Sequence, residues 1–307
     1  MRKFAPSVLA LVAGVVWAIV FTKLLPVEAE GERPPLMQPV AEAACGDTRM
    51  IARLPDLPEA SGLAVSRSRP GLVWTHNDSG SPLLFAMGTD GSVQGRVRVT
   101  GAAVEDWEDV ASGPCPQGTC LYVGDIGDNG AARSRIVVYR FREPVAGETA
   151  TEPAEALFAS YPDRPQDAET IFLGPNGRIH VVTKGENSPI SIYRFPDNAT
   201  PGSTMTLERI ATLSSKTRRD LRITDGDITW DGTWIGLRTL EAVVFYRAGE
   251  LLRGAPAPPI EFDLSSLGEP QGEGLAFAQD GMVYLASEGG GGTRGGLLAR
   301  MSCKLPT

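Results

Sequence analysis

Carboxylates recur at regular intervals in this sequence, each time just ahead of a short apolar run. They stand in Glu59-Ala-Ser-Gly-Leu-Ala, Asp106-Trp-Glu-Asp-Val-Ala, Asp167-Ala-Glu-Thr-Ile-Phe, Thr224-Asp-Gly-Asp-Ile-Thr and Gln271-Gly-Glu-Gly-Leu-Ala. A second polar set closes the apolar run that follows each of them: His76, Asn77 and Asp78; Asp125, Asp128 and Asn129; Lys184 and Glu186; Arg238 and Glu241; Glu288. Oxygen-only groups of this kind suit hard cations such as calcium. Crowded together without a cation or a basic partner, they would raise one another's pKa. Taken singly, each acid also reads as a turn cap that hydrogen-bonds backbone. Lys184 and Arg238 either neutralise the acids or orient a phosphate or carboxylate beside a cation. His76, in Thr-His-Asn-Asp-Ser-Gly, reads either as an acid–base group or as a hydrogen-bonded turn histidine.

Other chemistries are poorly represented. There are two histidines, and no His/Cys grouping has zinc spacing. His180 falls mid-strand and reads as buried structure. Neither a Gly-x-Ser-x-Gly elbow nor a phosphate loop is present. The formal net charge of -8 repels phosphate backbones, so nucleic acid is not expected as a partner.

The elements that must position these residues are short strands. With 35 Gly and 24 Pro, the chain is rich in turn formers. The five acidic segments begin at positions 59, 106, 167, 224 and 271, a spacing that suits the blade of a β-propeller. Each continues into a first strand, a turn such as Pro-Asn-Gly or Gln-Asp-Gly, a second strand and a third. Outer strands are visible in four units, at VQGRVRV, EALFASY, LERIATL and PIEFDL. The fifth unit lacks one, and the strand Arg49–Leu54 has no unit of its own. The expected fold is therefore an all-β propeller of five four-stranded blades, closed by the N-terminal strand, or of six if one is degenerate. Strand starts and second-strand ends meet at one mouth of the channel in such a fold, which would gather the acids there. Cys45 and Cys303 would clamp the seam, and Cys115 would pair with Cys120 across a Pro-Gln-Gly turn.

Residues 1–29 read as a signal peptide or membrane anchor: Arg2 and Lys3, then an apolar run over residues 4–22, then Val27-Glu28-Ala29. Residues 30–44 read as a Pro- and Glu-rich linker, and residues 45–307 as the propeller domain. An extracytoplasmic location follows, periplasmic, secreted or anchored, with membrane contact only through residues 4–22. A monomer is expected.

EASGLA, WEDVA, DAETIF and QGEGLAFAQDGMVYLASEGG resemble blade signatures of exported bacterial propellers of the phytase-like, SdiA-regulated and gluconolactonase/NHL group. The resemblance spans about residues 48–304. The resemblance implies calcium-dependent phosphatase or lactonase chemistry as one reading, a calcium-dependent hydrolase of phosphate esters or lactones. The acidic mouth itself offers two others, a propeller binding a small-molecule or anionic ligand with or without calcium, and a protein-interaction scaffold. On the phytase-like reading Glu59, Glu108, Asp125, Asp128, Glu169, Glu273 and Glu288 would hold calcium. Lys184 and Arg238 would grip phosphate. Independently of that resemblance, position at the mouth makes His76, Asp78, Lys184, Arg238 and Glu241 the ligand-binding candidates.

Overall fold

Short strands with apolar faces cannot bury those faces alone, so they pair into sheets and the sheets stack. The structure, a computed structural model, describes residues 44–186, 188–213, 222–290 and 295–306. The chain divides into a unit Met1–Val40 and a compact unit Ala41–Thr307. The leader and nearly all of the expected linker lie outside the described residues, and Ala44 already belongs to the first strand, β1 (Ala44–Leu54). No helix among the described residues is long and apolar enough to cross a membrane.

Blade one holds β2 (Ala60–Val65), β3 (Leu72–Asn77), β4 (Leu83–Gly88) and β5 (Val93–Arg98). Blade two holds β6 (Trp107–Cys115), β7 (Gly118–Asp125), β8 (Ile136–Arg142) and β9 (Glu155–Ser160). Blade three holds β10 (Ala168–Leu173), β11 (Ile179–Thr183), β12 (Ser191–Arg194) and, beyond β13 (Thr204–Thr206), β14 (Glu208–Thr212). The short β13 runs parallel to β9 and adds a fifth strand to blade two. Blade four holds β15 (Ile223–Ile228), β16 (Trp234–Thr239), β17 (Ala242–Arg247) and β18 (Ile260–Asp263). Blade five holds β19 (Gln271–Phe277), β20 (Met282–Glu288) and β21 (Gly296–Lys304), with β1 as its outer strand. The fold is a five-bladed propeller, as the repeat spacing predicts.

The turns explain the sharp strand reversals. All five hairpins between first and second strands pivot on a glycine with positive φ: Gly71, Gly118, Gly177, Gly232 and Gly281. A side chain is strained in that conformation. Five apolar clusters then fill the wedges between neighbouring blades. Trp74 and Trp107 pack between blades one and two, and Phe245, Phe277 and Met301 between four and five. Leu54, Leu63 and Leu298 fill the seam between five and one. At that seam β1 pairs antiparallel with β21, with Cys45 directly opposite Cys303, and the two are disulfide-bonded. Cys115 and Cys120 form the second bond, leaving no free cysteine among the described residues.

Candidate functional site

Each innermost strand is bulged against its neighbour close to its start. The register shifts fall between Ala60 and Leu63, Trp107 and Asp109, Ala168 and Thr170, Ile223 and Asp225, and Gly272 and Leu275. A bulge adds an unpaired residue and re-aims its side chain. The bulged positions carry Ser61, Glu108, Glu169, Thr224 and Glu273, one from each blade. Ser61 and Thr224 act alike: each hydroxyl donates to the next blade, to Glu108 O at 2.7 Å and to Glu273 O at 3.4 Å. That equivalence corrects the sequence pattern in blade four. Thr224, and not a residue two places further on, is the counterpart of Glu108 and Glu169.

The site is layered along the channel. At the outer layer stand Glu59, Asp78, Asp106, Asp167, Lys184 and Glu288. Burial, then repulsion from Glu59, raises Asp78 to about 6. Burial, then the charges of Asp78 and Glu59, raises Glu288 to about 7. Gln271, absent from the sequence-based candidates, donates from its amide to Glu273 at 2.6 Å and to Glu288 at 3.0 Å. Lys184 Nζ lies 2.5 Å from Glu169 Oε1 and 3.7 Å from Asp167 Oδ2.

Below lie Glu108, Glu169 and Glu273. Burial is the main reason all three are raised, with Glu169 adding to the other two by repulsion. Glu169 itself rises to about 7, burial winning over the pull of Lys184. Glu108 is raised well above the carboxylate range, by burial first and then by the charges of Glu169 and Asp106. Burial alone would depress Lys184, yet the surrounding carboxylates more than offset it and hold the ammonium charged.

The next layer closes the channel. Asp109, from blade two, and Asp225, from blade four, are fully buried, and burial first of all raises both well above the carboxylate range. Asp109 also accepts the Ile171 N–H of blade three at 2.7 Å, and Asp225 accepts the Leu275 N–H of blade five. Deeper still, Asp227 accepts from Phe277 N at 2.9 Å. Arg67 reaches the same level, donating to Ser112 O at 2.9 Å and lying 4.7 Å over the Trp230 ring. A small pocket lies at this level, lined by Leu63, Arg67, Ser112, Asp227, Trp230 and Phe277. The carboxyls above, with the buried Asp109 and Asp225 beneath them, make an acidic cup.

The remaining candidates divide. Asp125 pairs with Arg133 at 2.8 Å and accepts the N–H groups of Glu105 and Asp106. Asp128 accepts from the N–H groups of Ala132 and Arg133, at 2.9 and 2.7 Å. Arg238 is fully buried; its guanidinium binds Gly274 O at 2.6 Å, Ala286 O at 2.8 Å and the Glu269 carboxylate. Glu241 is exposed on the turn between β16 and β17. His76 is fully buried, edge-on to Trp107, and burial lowers it to about 4, so it is a neutral packing group. His180 is likewise buried, stacked on Phe172. The oxygen-rich donor set has the chemistry of a hard-cation site. Yet no three His, Cys, Asp or Glu among the described residues are placed to hold a metal ion. Asp109 and Gln271 are the contributors that strand periodicity misses. Both are visible as the extra polar residue in Trp-Glu-Asp and Gln-Gly-Glu, but alternation turns Asp109 away from Glu108, and only the bulge brings it back.

The sequence matches no family model and no curated protein sequence. In fold the chain is similar to solved propellers. A PQQ-bound aldose sugar dehydrogenase from Streptomyces coelicolor superposes with a TM-score of 0.51 at 12% identity, over 86% of this chain and 99% of that one. A calcium-binding regucalcin from Agrobacterium tumefaciens gives 0.49 at 13%, over 82% and 93%. A gluconolactonase from Xanthomonas campestris gives 0.46 at 11%, over 87% and 99%. At these identities the likeness is one of fold.

Proposed function

We propose that this chain is an exported propeller that binds a small polar ligand in the acidic cup. One observation carries the reading: carboxyls from four blades converge above the buried Asp109 and Asp225, with Lys184 paired among them. A low-dielectric cup of one sign focuses its field and favours ligands that bring positive charge or hydroxyl donors. Highly phosphorylated substrates fit it poorly, because Lys184 is already paired and Arg238 is consumed by backbone carbonyls. Two disulfides suit an oxidising compartment, which supports export. Thermal-shift and calorimetric titration with monosaccharides, polyamines, inorganic phosphate and calcium chloride test the reading. A rise in midpoint with one compound, lost in both Glu59→Gln and Glu288→Gln, supports it. If nothing in the panel moves the midpoint, the cup is not a ligand site.

A hydrolytic reading rests on the Glu108–Glu169 pair. Burial raises both, Glu108 well above the carboxylate range and Glu169 to about 7, the kind of separation an acid–base pair requires. Assays with p-nitrophenyl phosphate and with a δ-lactone decide it. Turnover abolished by Glu169→Gln supports hydrolysis; equal turnover in that variant removes the pair from the reaction.

A further inference from the structure

We infer that the Lys184 ammonium is the resident cation of this cup, standing where a calcium ion would otherwise be required, so that the described acids hold no divalent metal. The inference rests on the cup being the functional site, and it specifies how that site is charged.

Lys184 follows directly after β11, and its backbone is fixed on both sides. Its N–H donates to Asp167 O and its carbonyl accepts from Ile223 N–H, each at 3.0 Å. The side chain is 20% exposed and turns inward, with Nζ at 2.5 Å from Glu169 and 3.7 Å from Asp167. Calcium needs six to eight oxygens, each at roughly 2.3–2.6 Å. An ammonium pairs with carboxylates singly or in twos at hydrogen-bond or ion-pair range, so it needs no closed coordination sphere.

Five of the other candidate ligands accept from the chain's own donors. Asp125 is held by Arg133 and two backbone N–H groups. Asp128 is held by the N–H groups of Ala132 and Arg133. Glu273 and Glu288 share the Gln271 amide, and Glu59 accepts from Ser79 at 2.7 Å. A divalent ion would have to displace these donors and the ammonium together.

Terbium luminescence and calcium calorimetry on the full chain test this. Trp107 adjoins Glu108 and supplies the sensitiser. The native protein is expected to show no saturable terbium signal that depends on Glu169. Its melting midpoint should not move with millimolar calcium or with EDTA. Lys184→Met should melt lower, recover part of the loss with calcium, and bind terbium about tenfold or more tightly than the native chain. Lys184→Arg keeps a cation and should stay calcium-insensitive, which preserves the test if Lys184→Met fails to fold. One-site calcium binding by the native protein, abolished in Glu169→Gln, would overturn the inference while leaving ligand binding by the cup intact. A ligand panel without a hit would sink the ligand reading and leave the assignment of Lys184 standing.

Discussion

Two buried carboxyls, Asp109 and Asp225, interact where four of the blades meet. Two ionised carboxylates in contact inside a protein repel strongly, so one stays protonated and donates to the other. Each also takes a backbone N–H from the following blade, so four of five blades meet at this pair. Asparagine can reproduce both the donor and the acceptor of a protonated aspartate. Asp225→Asn should therefore retain near-native stability. Asp225→Ala leaves the Leu275 N–H and Asp109 unpaired and should lose about 1–3 kcal/mol in urea unfolding, the cost of stranding a buried polar group. Equal losses in the two variants would show that no proton is shared.

The strands and their closure set a second group of expectations. Gly62 lies where blades one and two come closest: a Cβ there would stand 2.5 Å from the Asp109 Cα. Backbone cannot yield at that distance, so Gly62→Ala should cost about 1–3 kcal/mol, the usual range for overpacking. The two disulfides should differ in value. Cys45–Cys303 spans 258 residues and Cys115–Cys120 spans 5. On chain entropy alone, removing the first should cost about 5–6 kcal/mol and removing the second about 2 kcal/mol. Denaturant midpoints of the paired serine variants give the comparison. A larger loss from the Cys115–Cys120 pair would mean that β1 holds the seam without its bond.

For the whole molecule the balance of buried acids and histidines fixes the pH response. A raised carboxyl binds its proton more tightly when folded, so it stabilises the fold below its folded pKa and loses that contribution as pH rises. Asp78 and Asp227 fall to that side at about 6, and Glu169 and Glu288 at about 7. Asp106, Glu108, Asp109, Asp167, Asp225 and Glu273 are raised as well. His76 and His180, lowered to about 4, act the other way and weaken the fold as pH drops below the ordinary histidine value. Ten raised carboxyls outweigh two histidines. In chelator, the melting midpoint should be higher at about pH 5 than at about pH 8. A midpoint that climbs steadily over that interval would mean the acids are ionised and neutralised by something other than Lys184.

Much of this architecture is local and was legible along the chain. Asn-Gly and Asp-Gly turns, strand-length apolar runs and a recurring acidic start specify blades, because hairpin geometry depends on residues adjacent in sequence. The odd strand at Arg49–Leu54 and the cysteines at positions 45 and 303 pointed to the seam by count, because one unit lacked the outer strand that this one could supply. The site was legible in kind but not in detail. Alternation along a strand cannot anticipate a bulge, and it is bulges that line up Ser61, Glu108, Glu169, Thr224 and Glu273 and set blade four two residues away from its apparent pattern. Nor does any local rule join Asp109 to Asp225, or bring Lys184 to Glu169 at 2.5 Å. Those pairings depend on how far the blades close in upon the axis, a distance fixed by side-chain packing between sheets and by no single stretch of sequence.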